Sequence, residues 1–257
     1  MPANPFDLTG QTVLVTGAGT GIGRAISVLF AGHGADLALA GRKVEPLEAT
    51  AATARALGRK VSVTPTDVKD AAACEALIDA VMKEHGRLDV LVNNAGGSRA
   101  GALDTWTMTD FNDMVALNLT SVWVLSLAAA RRMRERGGAI VNISSMSSLR
   151  PVPHSAPYGA AKAAVNNLTM TLSVDLAKFG IRVNCIAPGV VRTEGFDRAM
   201  SRMNLDPATM GRNAQGRVGE PEEIAAAVAF LASADAAWVT GVVLPVDGGL
   251  LAGHRAP

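Results

Sequence analysis

Short runs of β-branched and aliphatic residues alternate with longer alanine-rich stretches along almost the whole chain. The first pair is the run TVLVT at 12–16, followed by a helical stretch that ends near Gly34. Similar runs follow at 37–41, 61–65, 88–93, 139–144, 181–187 and 242–246. This regular alternation predicts an α/β fold, a doubly wound parallel sheet with helices on both faces. The ligand of such a sheet lies beyond the carboxyl ends of its strands.

The stretches between these runs predict helices at about 44–57, 71–85, 109–135, 156–179 and 221–232. Pro65 has no amide hydrogen to donate, so the third strand should lie at the sheet edge or end there. Residues 195–217 have no clear period, and we predict an irregular substrate loop or lid at about 190–217. No composition break or repeat divides the chain, which indicates a single domain over residues 1–257.

Charge and cysteine content exclude several classes of protein. The chain has 24 Lys and Arg against 23 Asp and Glu, a net charge of +1, which argues against nucleic acid as the main partner. The two cysteines, Cys74 and Cys185, form no C-x-x-C pair, so we expect no metal site. The start of the chain lacks a leader pattern, and the apolar stretch 115–130 contains polar residues. We therefore expect a cytoplasmic protein that acts on a small molecule away from membranes.

Four glycines separate the first strand from the first helix. The sequence there is Thr16-Gly-Ala-Gly-Thr-Gly-Ile-Gly23, which places glycine at 17, 19, 21 and 23. The strict G-x-G-x-x-G fingerprint fails because position 22 is isoleucine, but glycines still permit a tight turn and close approach to the backbone. The first amides of the helix can then bind a diphosphate. The alternative is a glycine-rich turn without a ligand.

The end of the second strand carries Arg42 and Lys43 instead of an acidic residue. In an NAD enzyme an acid at this place accepts a hydrogen bond from the adenosine ribose. A guanidinium instead forms a bidentate pair with a ribose 2′-phosphate, which indicates NADP(H) as the preferred cofactor. An ordinary solvated Arg-Lys pair is the alternative, and NAD(H) stays possible.

Two further groups of polar residues follow strands. Asn93-Asn94-Ala95-Gly96 follows the fourth strand, where it is either a cofactor contact or a simple turn. Ser145 follows the fifth strand and can hydrogen-bond a substrate carbonyl. Tyr158 and Lys162, four residues apart, share one helix face. An ammonium beside a phenol favours the phenolate and lowers the pKa of the tyrosine. A Tyr-x-x-x-Lys pair is by itself often incidental, and its position in this fold gives it weight.

From Thr12 to about Gly249 the chain resembles the short-chain dehydrogenase/reductase family in its compact single-domain form. The resemblance rests on the ordered occurrence of TGAGTGIG, Asp67-Val68, NNAG, Asn118, Ser145, YGAAK and Pro188-Gly189 before Thr193. It implies a Rossmann-type sheet of seven parallel strands and an NAD(P)-dependent oxidoreductase. It also implies a homotetramer, with the long helices from Thr109 and Ala156 as one interface.

The resemblance implies roles for individual residues. Tyr158 is the general acid in carbonyl reduction and the general base in alcohol oxidation. Lys162 lowers the tyrosine pKa and holds the nicotinamide ribose, Ser145 orients the substrate oxygen, and Asn118 keeps a water relay to Lys162. The implied cofactor-binding residues are Gly17, Thr20, Gly21, Ile22, Gly23, Arg42, Asp67, Val68, Asn94, Ala95, Gly96, Tyr158, Lys162, Pro188, Gly189, Val191 and Thr193.

One residue departs from the pattern of many NADP-using relatives. They carry a basic residue just before the second motif glycine, where this chain has Thr20. The leading hypothesis is an NADP(H)-dependent enzyme that interconverts a secondary alcohol and a ketone. The alternatives are an NAD(H)-dependent dehydrogenase, an enoyl-thioester reductase on the same fold, and a nucleotide-binding regulatory protein without turnover. The complete set Asn118, Ser145, Tyr158 and Lys162 argues against the last.

Overall fold

The computed structural model describes residues 6–253 of the 257-residue chain, so the predicted domain limits, 1–257, extend beyond the described residues at both ends. The strands are β1 (Thr12–Thr16), β2 (Asp36–Gly41), β3 (Val61–Pro65), β4 (Val90–Asn93), β5 (Gly138–Ile143), β6 (Ile181–Pro188) and β7 (Val243–Val246). All their pairings are parallel, and the spatial order is β3-β2-β1-β4-β5-β6-β7. The predicted doubly wound sheet and the edge position of β3 are both confirmed.

Two helical layers cover the sheet. The helices are α1 (Gly21–Gly32), α2 (Val44–Ala56), α3 (Ala71–His85), α4 (Met108–Val115), α5 (Ser121–Met133), α6 (Ala156–Ala177), α7 (Glu194–Met203) and α8 (Pro221–Ala232). Alternate residues of β1 point to opposite faces: Val13 and Val15 pack with α1, α2 and α8, whereas Leu14 packs with α3, α5 and α6. The strand order reverses between β1 and β4, which places the ligand crevice at their carboxyl ends.

The helix predicted at 109–135 is not uniform. Between α4 and α5 the residues Ala116–Thr120 form a π-turn, and the fully buried Asn118 lies in it. Such one-turn π segments are frequent at functional sites because they re-aim a side chain without ending the helix. The spacing of apolar residues cannot reveal this local change, since that spacing is the same before and after the π-turn.

The continuous helix Met108–Met133 is long and apolar enough to cross a membrane, by length and composition alone. In this structure 44% of its most apolar window is buried. Leu125, Ala129 and Met133 pack with α3 and the sheet in one apolar cluster. A helix that packs into a protein core needs the same composition, so this feature is weak evidence for a membrane span.

The prediction that 195–217 is irregular was wrong for its first third, which forms α7. The Thr193 hydroxyl caps this helix by accepting the Phe196 amide at 3.1 Å. Glu194 and Asp197 lie in the first turn and Arg202 in the last, an order that complements the helix dipole. Phe196, Met200 and Met203 stand at the i, i+4 and i+7 spacing of an amphipathic helix, so the sequence did contain a helical pattern here.

Candidate active site and cofactor site

Candidate residues follow the carboxyl ends of four adjacent strands. The glycine turn follows β1, Asn94 follows β4, Ser145 comes two residues after β5, and Gly189 follows β6. These strands are neighbours in the order β1-β4-β5-β6, so residues distant in sequence meet along one edge of the sheet. This edge is the location that the strand–helix alternation predicted for the ligand.

The glycine turn is held by backbone packing. Gly17 and Gly21 have φ values of 66° and 52°, in the left-handed region that favours glycine. A Cβ on Gly23 would lie 2.2 Å from the Gly17 carbonyl oxygen, and a Cβ on Gly17 would lie 2.8 Å from Asn94 Nδ2. The turn therefore needs these glycines for its own geometry, whether or not a ligand is bound.

The start of α1 presents amides that suit an anion. Thr20 is the N-cap, but its side chain accepts no capping hydrogen bond, and the first intrahelical bond runs from the Arg24 amide to the Thr20 carbonyl at 3.3 Å. Within residues 6–253, the amides of Ile22 and Gly23 have no partner outside the helix, and the Gly21 amide donates to Glu194 at 2.9 Å. A helix N-terminus behind a tight glycine turn fits the diphosphate of a dinucleotide.

A hydrogen-bond cluster joins the NNAG segment to the glycine turn. The Thr16 hydroxyl accepts the amides of Asn94 and Ala95, both at 3.0 Å. Asn94 Nδ2 donates to the carbonyls of Thr16 at 2.8 Å and Gly17 at 3.3 Å. The structure therefore gives Asn94 a role in holding β4 against the turn, which the sequence pattern alone left open.

A second group of predicted cofactor residues lies at the β2–β3 end of the edge. Arg42 and Lys43 follow β2 and are exposed, and neither forms an ion pair within the described part of the chain. Thr66 donates its amide to the Gly41 carbonyl at 2.9 Å, which brings the following Asp67 and the buried Val68 beside the end of β2. This group is separate from Tyr158 and Lys162, as the adenosine end of a long cofactor would require.

The Lys162 ammonium lies deep in the catalytic cluster. Lys162 is 3% exposed, and its Nζ donates to the Ile143 carbonyl at 2.8 Å. Burial lowers the pKa of Lys162 to about 8. A Cβ on Gly96 would lie 2.9 Å from Asn118 Oδ1 and 3.3 Å from Lys162 Nζ, so these two polar groups flank one glycine.

The Asn118 carboxamide forms two hydrogen bonds with the backbone of Gly97, the residue after NNAG. Its Oδ1 accepts the Gly97 amide at 3.1 Å, and its Nδ2 donates to the Gly97 carbonyl at 3.0 Å. Nδ2 also donates to the Met114 carbonyl, 3.1 Å away, across the π-turn. Asn118 thus positions the loop that passes over Lys162.

Tyr158 lies one helical turn from Lys162, whose Nζ is 5.8 Å from the centre of the phenol ring. The Ser145 side chain lies close enough to the phenol to act on its pKa. Burial raises the pKa of Tyr158, and Ser145 opposes that rise. The sequence-based expectation of a lowered tyrosine pKa is therefore not met in the protein by itself. Desolvation of the phenol outweighs the lowering by Ser145, and Lys162 is itself desolvated.

The segment after β6 crosses back to the glycine turn. Val191 forms an isolated bridge with Gly219, and a Cβ on Gly189 would lie 2.8 Å from the Asp247 Cα. A Cβ on Gly21 would lie 2.9 Å from Thr193 Cγ2. Pro188 to Thr193 therefore starts at the sheet edge and ends on the first residue of α1.

Three contacts were not predicted from the sequence. They are the Ile143 carbonyl that holds Lys162, the Thr16 hydroxyl that holds Asn94 and Ala95, and Glu194 against Gly21. A backbone carbonyl leaves no trace in the residue type, so the first could not be found. Glu194, an acid next to the predicted Thr193, offered a signal that was not used.

Comparison of the amino-acid sequence with known proteins finds relatives over most of the chain. A family profile described as Enoyl-(Acyl carrier protein) reductase matches residues 17–251. Gluconate 5-dehydrogenase of Gluconobacter oxydans is 37% identical over 246 residues, which cover 95% of this chain and 96% of that protein. Levodione reductase of Leifsonia aquatica is 37% identical over 258 residues, with 96% of each chain covered.

Comparison of the fold with solved structures agrees with the sequence comparison. The crystal structure of a levodione reductase superposes with a TM-score of 0.89 at 35% identity, covering 95% of this chain and 99% of the other. The chain belongs to the short-chain dehydrogenase/reductase family. It is an oxidoreductase of that family, and membership implies a nicotinamide nucleotide cofactor.

Proposed function

We propose that the protein is an NADP(H)-dependent enzyme that interconverts a secondary alcohol and a ketone, with Tyr158 as the general acid or base. The observation that carries this proposal is the cluster of Ser145, Tyr158 and Lys162. Tyr158 has Ser145 close enough to act on its pKa and Lys162 one helical turn away, at the same sheet edge as the glycine turn.

Each side chain has a task in that reaction. A bound nicotinamide supplies or accepts the hydride. In reduction the Tyr158 hydroxyl donates its proton to the carbonyl oxygen, and Ser145 hydrogen-bonds the same oxygen. Lys162, held by the Ile143 carbonyl, supplies positive charge beside the phenol as the proton leaves. Asn118 holds Gly97, and we assign to it a water relay that returns the proton to Lys162 and Tyr158.

The raised pKa of Tyr158 bears on the direction of the reaction. A buried phenol with a raised pKa stays protonated at neutral pH, which suits the general acid of carbonyl reduction. Alcohol oxidation needs the phenolate, and it should gain more from alkaline pH. We therefore propose that the rate of alcohol oxidation rises more steeply from neutral to alkaline pH than the rate of ketone reduction.

The cofactor preference rests on Arg42 and Lys43. Both are exposed at the end of β2 without an ion-pair partner in the described chain, and residues 40–43 of this strand end include no acid. A free guanidinium favours a 2′-phosphate. The nicotinamide end would lie between Lys162 and the segment Pro188 to Thr193, and residues 190–217 would cover the substrate as a lid.

An enoyl-thioester reductase is the second candidate, because the matched family profile carries that description. The names of the two relatives above instead indicate hydroxyl and ketone chemistry. The decisive assay offers ketones, secondary alcohols and an enoyl thioester with NADPH or NADH, and follows absorbance of the reduced nicotinamide. Turnover of the enoyl thioester but of no ketone would overturn the proposal.

We further propose a cytoplasmic homotetramer. Trp123 on α5 and Met170 and Val174 on α6 are 44%, 45% and 76% exposed, so the two helices present large apolar side chains to their outer side. A closed symmetric assembly would bury them. A monomer mass in light scattering at micromolar concentration would contradict this assembly.

A further inference from the structure

The carboxylate of Glu194 occupies the N-terminal end of α1. Its Oε2 accepts the Gly21 amide at 2.9 Å, and its Oε1 lies 3.0 Å from Arg24 Nη2. Glu194 is also the first residue of α7, the helix of the predicted lid. One side chain therefore ties the lid directly to the first turn of the cofactor helix.

This contact is supported by close packing beside it. Thr193 caps α7 through the Phe196 amide, and its methyl group lies against Gly21. The Glu194 side chain is 35% exposed, so its carboxylate is partly withdrawn from water. In contrast, the next acid of α7, Asp197, is half exposed and pairs only with Arg192 on its own segment.

The Gly21 amide that Glu194 accepts belongs to the same first turn of α1 as the Ile22 and Gly23 amides, and this turn suits a diphosphate. An anion is favoured at the first turn of a helix because its amides are unpaired and the helix dipole is positive there. A dinucleotide brings two negative charges to this turn. Glu194 would then face like charge at close range, which is unfavourable in a partly desolvated site.

We propose that Glu194 is an internal competitor of the cofactor diphosphate, and that cofactor binding displaces it from Gly21 and releases the start of α7. This inference rests on the proposed function, since it requires a dinucleotide at the glycine turn. Without cofactor, Glu194 therefore holds the lid against the glycine turn. The bound diphosphate breaks this contact.

The test compares wild type with Glu194→Gln, which keeps the size of the side chain and removes its charge. Calorimetry should show NADPH and NADH binding tighter by about 3- to 10-fold, the scale of one partly exposed charge contact. Adenosine 2′-monophosphate carries no phosphate at the 5′ position and brings no anion to the glycine turn, so its affinity should not change. Glu222→Gln removes an exposed acid from the first turn of α8 and serves as the matched control.

A second measurement needs no dinucleotide. Trypsin should cut after Arg198 and Arg202 of α7 faster in Glu194→Gln than in wild type, because the anchor of the lid is lost. Glu194→Asp, which keeps the charge on a shorter side chain, should give an intermediate NADPH affinity.

Equal or weaker NADPH binding by Glu194→Gln would overturn the inference, since the carboxylate would then assist the bound cofactor or ignore it. Equally tighter binding of adenosine 2′-monophosphate would also count against it, by showing a general charge effect. If neither wild type nor variant binds any dinucleotide, the proposed function itself fails, and this inference fails with it.

Discussion

The glycine turn and the lid helix meet at Gly21, but they are built in different ways. In the turn, backbone atoms touch so closely that a Cβ on Gly23 would come within 2.2 Å of a carbonyl oxygen. In the lid, the nearest atoms to a Cβ on Gly195 lie at 3.7 and 3.9 Å, and the Arg192–Asp197 pair is half exposed. Changes in the turn and the catalytic cluster beside it should therefore have large effects, and changes in the lid small ones.

The largest effect on activity is expected for Tyr158, which lies in the catalytic cluster beside the glycine turn. Tyr158→Phe removes the proton-transfer group and keeps the ring, so kcat should fall by about a hundredfold or more. Affinity for NADPH, measured by calorimetry, should be nearly unchanged. A variant that kept more than about a tenth of the wild-type kcat, with chemistry rate-limiting, would show that another group moves the proton.

Two glycine-to-alanine changes compare the regions directly. Gly23→Ala forces a methyl group against the Gly17 carbonyl, so the free energy of unfolding should fall by about 3 kcal/mol. Gly195→Ala meets no close atom and lies within α7, so stability should stay unchanged or rise by up to about 1 kcal/mol. Denaturant unfolding measures both. Similar losses in the two variants would refute the distinction between the regions.

The catalytic cluster also contains an unfavourable charge. Because burial lowers the pKa of Lys162 from 10.5 to about 8, the folded state binds the proton more weakly than the unfolded chain. The buried ammonium therefore destabilises the fold below pH 8 by about 3 kcal/mol. Lys162→Met should be more stable than wild type at pH 7 by about 2 kcal/mol, since the Ile143 carbonyl also loses its donor.

The difference in the Lys162 pKa between the folded and the unfolded chain also fixes how stability changes with pH. Between pH 8 and 10 the folded protein has lost the Lys162 proton while the unfolded chain keeps it, so wild-type stability should rise with pH relative to Lys162→Met. Above pH 10 the raised pKa of Tyr158 acts the other way in both proteins, because the unfolded chain releases the phenol proton first. Urea unfolding at pH 7, 8, 9 and 10 checks this, and parallel curves would contradict it.

The same contrast explains what could be predicted from the sequence. The edge position of β3 follows from Pro65, the glycine turn from its four alternating glycines, and the Tyr158–Lys162 pair from its spacing of four residues. All three are local properties of the chain. The contact of Glu194 with Gly21 joins residues far apart in sequence, and the π-turn at Asn118 is a local change that the spacing of apolar residues does not show. The direction of the Tyr158 pKa depends on total burial, and a single neighbouring charge is a poor guide to it.

A smaller effect than that of Tyr158→Phe is expected for Arg42, which lies at the exposed end of the cofactor region. Arg42→Ala should weaken NADPH binding by about tenfold and leave NADH nearly unchanged, because only NADPH carries the 2′-phosphate. A hydrogen bond to a charged group is worth up to about 3 kcal/mol, but exposure and the neighbouring Lys43 reduce the loss here. Arg55→Ala removes an exposed charge from the far end of α2 and should change neither affinity. The measurement is kcat/KM with each cofactor for all three proteins. A wild type that uses NADH as well as NADPH would contradict the proposed preference whatever the variants do, and would leave Arg42 as an ordinary solvated residue.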